Sequence, residues 1–143
     1  MMKLIHSYWA YVTVVILIIA FINVIMGLTQ NREFKEKDLR ISLFTLIVMH
    51  IQLIIGLGWY FISPAYKRLK ELGMGGAMKE SGVRLLAVEH PLMMIIAIVL
   101  ITIGWSKHKK QNTDKGKYKT IAIFYGLALI FVLSRIPWAQ WFS

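Results

Sequence analysis

Four apolar runs, Leu4–Leu28, Ile41–Ile62, Leu85–Trp105 and Ile121–Phe142, govern what this chain can become. Each is close to the roughly 20 residues a helix needs to cross a hydrocarbon core about 30 Å thick. The runs take up most of the 143 residues, and 57% of the chain is hydrophobic, more than a soluble domain of this length carries. What lies between them is too short to bury a core of its own. The expected fold is all-α, an integral membrane up-down-up-down four-helix bundle forming a single domain over residues 1–143. The single lysine before the first run gives a superficial likeness to a signal peptide. The run is too long and lacks an A-x-A-like cleavage site, so it reads as a retained first helix.

Charge sets the orientation. The loop after the first run carries Arg32, Lys35, Lys37 and Arg40, and the loop after the third carries Lys107, Lys109, Lys110, Lys115, Lys117 and Lys119. The opposite side has Lys3, Lys67, Arg68, Lys70, Lys79 and Arg84, a smaller set. Positive-inside counting places the richer side in the cytoplasm and both termini in the periplasm of a bacterial inner membrane. The net charge of +10 is thus assigned to topology and anionic head groups, and with no aromatic-interleaved basic groove no nucleic-acid partner is expected. Tyr8, Trp9, Tyr11, Trp59, Tyr60, Trp138 and Trp141 gather at the termini side, where interfacial rings are favoured; Trp105 and Tyr118 lie at the other. Pro64 to Arg84 mixes glycines with Tyr66, Leu69, Leu72, Met74 and Met78 among lysines, the pattern of a broken amphipathic surface segment or a loop. Its glycines follow no strand, so no phosphate-cradling motif is read there.

Three of the four histidines, His6, His50 and His90, fall inside or at the edge of the apolar runs, and ionisable residues at such depth are functional candidates. At about 100° per residue, His6 shares a face with Thr13, Ala20 and Gly27, and His90 one with Met94, Ala97, Ile101 and Gly104. Small faces are where membrane helices meet, so both rings should point into the bundle, at matching depth near the termini side. His50 lies mid-span and is turned roughly 140° from the stripe Thr45, Met49, Gln52, Gly56 and Ser63, giving the second helix two non-lipid faces. His108, in the lysine-rich loop, is expected to be solvated. Arg135 falls within the fourth run and needs an anion, either Glu89 or a cofactor carboxylate such as a haem propionate.

The absence of cysteine excludes disulfides, iron–sulfur clusters and c-type haem attachment, and no H-E-x-x-H zinc motif is present. Haem asks only for one or two imidazoles with apolar walls and small residues beside them. Copper is a weaker match, with Met49, Met93 and Met94 as soft donors that more often serve packing.

The strings His6-Ser7, Leu43-Phe44-Thr45-Leu46-Ile47, His50-Ile51-Gln52-Leu53-Ile54-Ile55-Gly56-Leu57, Tyr60-Phe61-Ile62-Ser63-Pro64, Val88-Glu89-His90, Ile101-Thr102-Ile103-Gly104-Trp105-Ser106-Lys107 and Ser134-Arg135-Ile136-Pro137-Trp138 resemble a family of short four-span bacterial membrane proteins. That family occurs in flavobacteria and relatives and carries a cytochrome b-like label. The resemblance covers nearly the whole chain and implies a small haem b protein with His6, His50 and His90 at the matching positions. Where the family pattern has a glycine, an arginine and a tryptophan soon after the first histidine, this chain has Ser7-Tyr8-Trp9-Ala10-Tyr11.

Three readings follow. The leading one is a b-type cytochrome-like protein passing electrons between a quinone and a respiratory partner, with haem b on two of His6, His50 and His90 and a propionate on Arg135. His6 with His90 is favoured by equal depth, and His50 with His90 stays open. The second is an accessory subunit of a larger membrane complex, or a homo-oligomer, with no redox group of its own. The third is a haem- or metal-dependent membrane oxidoreductase.

Overall fold

The structure, a computed structural model, describes residues 2–137, and every described element is helical. Four helices are long and apolar enough to cross a membrane: α1 (Met2–Thr29), α2 (Glu36–Ile62), α4 (Ser81–His108) and α5 (Asp114–Ser134). The shorter α3 (Pro64–Lys79) connects the two middle spans. α1 packs on α2 and α5, and α4 packs on α2 and α5, so the spans close into a ring around one core. The protein is therefore a multi-pass membrane bundle whose outward faces, such as Val15, Ile19 and Ile22 of α1, are left for lipid.

Helix ends follow local chemistry. Asn31, at φ 50, takes the left-handed conformation that asparagine tolerates; Arg32 N–H then reaches the Gly27 carbonyl at 3.0 Å and Asn31 N–H the Leu28 carbonyl, closing a Schellman turn on α1. Asp38 accepts from Lys35 N–H at 3.0 Å to start α2, Ser63 caps α3 ahead of Pro64, and Thr113 caps α5 through Gly116 N–H. The fourth span departs from the apolar run at 121–142. It starts at Asp114, inside the lysine-rich stretch, because Thr113 supplies a cap there, and it ends at Ser134 because the residue before Pro137 is disfavoured in helix. Arg135 consequently sits just past the helix end and not within the span; Trp138 and Trp141 lie outside the described residues.

The faces read from seven-residue spacing are the buried ones. Thr13, Ala20 and Gly27 of α1 and Ala97, Ile101 and Gly104 of α4 all point into the core. Small size matters at two crossings, since a Cβ on Gly27 would run into the Tyr118 ring and one on Gly104 into Phe124. The 64–84 stretch is helical as far as Lys79, interrupted at Gly73, whose φ of 73 only glycine adopts freely; Met74 and Met78 beyond the break are exposed.

After Ser81–Val83, α4 passes through a π-helical segment, Arg84–Glu89, directly before His90 and Pro91. Pro91 has no N–H to give the Ala87 carbonyl four residues back. The Tyr60 hydroxyl of α2 donates to that carbonyl at 2.7 Å, so a residue read as an interfacial anchor instead completes the backbone bonding of its neighbour. Trp9 acts similarly, its indole N–H donating to the Val48 carbonyl at 3.1 Å.

Candidate functional site

His6 and His90, on helices that share no direct loop, meet edge to face with ring centroids 6.3 Å apart. Both are half-buried in the half of the bundle that carries the N-terminus. Gly56 lets the His6 ring lie against α2, where a Cβ would be 3.1 Å from its Cε1. Each ring is held through Nδ1. His90 Nδ1 lies 2.8 Å from the Arg135 carbonyl, an obligate acceptor, so the ring donates there and its Nε2 keeps a lone pair. The His6 side is set by Gln52, whose Nε2 is 3.0 Å from His6 Nδ1 and 3.0 Å from the His6 carbonyl.

His50 is not part of this pair. Its Nδ1 donates to the Leu46 carbonyl at 2.7 Å, and its Nε2 faces the Thr102 hydroxyl at 3.4 Å. Thr102 is twelve residues beyond His90 on α4, about 18 Å along the helix. The second non-lipid face of α2 is therefore accounted for by α4, and the structure does not bring His50 to His90.

Arg135 meets Glu89, the carboxylate weighed for it from sequence, and its main chain also meets His90. Its Nε is 3.9 Å from Glu89 Oε1, and its main-chain carbonyl receives His90. Glu89 is shared, since Arg84 Nε lies 3.6 Å from Oε2. Two guanidinium groups thus flank one carboxylate beside His90, an excess of one positive charge. Arg135 Nε is also buried without a hydrogen-bond partner, as is Gln52 Oε1.

Sequence reasoning missed a second polar centre at the opposite end. Asp38, 5% exposed, accepts from Asn23 Nδ2 at 2.8 Å and from the Tyr118 hydroxyl at 2.7 Å in addition to Lys35 N–H. Arg32 donates to Asn23 in turn, at its carbonyl and its Oδ1. One carboxylate so ties α1, α2 and α5 together. His108 also differs from expectation. It is buried, 1% exposed, between Phe34 and Trp105, because the turn after α1 folds over the end of α4.

Two cavities measure about 260 and 340 Å³, and only the first borders one of these centres, at Arg32. The first is lined by Gly27, Leu28, Asn31, Arg32, Asp114 and Lys115, the second by Ile16, Ile19, Arg40, Ile41 and Phe44, and neither touches a histidine. Among the described residues no three His, Asp or Glu side chains converge on one point, so a metal here would rest on one or two imidazoles. No protein-family model, curated protein or solved structure matches the chain.

Proposed function

We propose that the protein is a small b-type cytochrome-like membrane protein, binding haem b and exchanging electrons with a membrane quinone or a respiratory partner. The observation that carries this reading is the bond from His90 Nδ1 to the Arg135 carbonyl at 2.8 Å. Histidines that ligate metals characteristically donate their other ring nitrogen to a backbone carbonyl or carboxylate, which fixes the tautomer and raises the basicity of the ligating nitrogen. His90 is held in this way with its lone pair at Nε2. The uncompensated charge of Arg84 and Arg135 beside it matches an anionic group such as a propionate. Bound there, haem would supply a one-electron couple in an apolar surrounding. The chain's part is to hold the ring, offer charge to the acidic edge and keep water out.

A reduced-minus-oxidised spectrum of the purified protein is expected to show the bands of non-covalently bound haem b. A colourless preparation of folded protein would end the haem reading and leave an accessory-subunit role.

The orientation is part of the same proposal, with the Lys107–Lys119 stretch in the cytoplasm. Because the chain has no cysteine, Gln111→Cys gives a single thiol. In intact cells that thiol should resist an impermeant maleimide and react after lysis; labelling of intact cells would invert the topology.

A further inference from the structure

An amide nitrogen only donates. Gln52 Nε2 sits 3.0 Å from two atoms of the same residue, His6 Nδ1 and the His6 main-chain oxygen. The main-chain oxygen only accepts, so turning the amide over would bring Gln52 Oε1 against it, acceptor to acceptor. The amide orientation is therefore fixed by the backbone, and Nδ1 of His6 has to be the bare, accepting nitrogen. Its proton is then on Nε2. His90 is the reverse case, with its proton on Nδ1 toward Arg135 and a lone pair on Nε2. Neither Nε2 has a hydrogen-bond partner among the described residues.

We infer that His6 and His90 are not equivalent: Gln52 is a positioning residue that keeps His6 as a hydrogen-bond donor, so His90 alone of the pair is available as an iron ligand. This rests on the haem reading for its ligand but not for its tautomers. A symmetric bis-imidazole site would need the His6 proton moved to Nδ1, against the Gln52 amide. The pair as built offers one N–H and one lone pair, which suits a metal on His90 and an oxygen-bearing group facing His6.

Imidazole ¹⁵N spectra of histidine-labelled protein in lipid, assigned with His6→Gln and His90→Gln, test the inference without any cofactor. The expected result is a proton on Nε2 of His6 and on Nδ1 of His90; a proton on Nδ1 of His6 in the unmodified protein overturns it. Gln52→Leu removes the donor and should leave the His6 proton shared between Nδ1 and Nε2. In haem-loaded protein the same inference expects a five-coordinate, high-spin spectrum, with a six-coordinate, low-spin fraction appearing in Gln52→Leu. A low-spin bis-imidazole spectrum in the unmodified protein, lost in His6→Gln, overturns the role given to His6 while sparing haem binding. Absence of haem overturns the haem reading and leaves the ¹⁵N result to decide on Gln52.

Discussion

Replacing His90 with alanine is expected to lower haem content per protein by about tenfold or more, read as loss of the reduced-minus-oxidised bands at equal protein. Contacts one shell removed from a metal are already worth about 10- to 100-fold, and removal of the ligand itself exceeds that. His50→Ala is the matched comparison. Its ring is engaged with the Leu46 carbonyl and Thr102, about 18 Å along α4 from His90, so haem content should stay near that of the unmodified protein. The reverse pattern, haem lost with His50 and kept without His90, would move the site to mid-span.

The largest effect on stability is expected at the other end of the bundle. Asp38→Ala removes the common acceptor of Asn23, Lys35 N–H and Tyr118 and leaves those donors together in a buried setting. Breaking a buried charged network of this kind costs about 3 kcal/mol or more. A midpoint fall on the order of 10 °C in a thermal melt corresponds to that cost. Tyr118→Phe withdraws a single donor and should cost about 1 kcal/mol. The ring itself stays against Gly27. An unchanged midpoint in Asp38→Ala would show that the carboxylate is hydrated and carries no load. Haem spectra should be unaffected in either variant.

How far the chain could be read in advance depended on whether a residue's role lies in its own helix or in a neighbour's. Thr13, Ala20 and Gly27 announce a packing face by spacing alone, and α1 buries that face. His50 was legible as the residue turned away from its helix's small stripe, although that its partner would be Thr102 of α4 was not. In the sequence Asp38 is one charge among several ahead of an apolar run. Its burial depends on Tyr118, eighty residues later, and no periodicity carries that information. His108 was misjudged for a similar reason, because what covers it is Phe34 from a different loop. Arg135 was misplaced because hydropathy continues through Pro137, whereas the helix does not. Gln52 was visible on its stripe, but the effect of one amide on the proton of His6 needs two distances that only coordinates supply.

Fastening α1, α2 and α5 to a single carboxylate at one end makes that end a pivot. The histidine end is joined differently, through the neutral hydrogen bonds of Gln52, Tyr60 and His90. Charge-assisted bonds are the stronger kind, so a disturbance that parts the helices would loosen the histidine end before the carboxylate end.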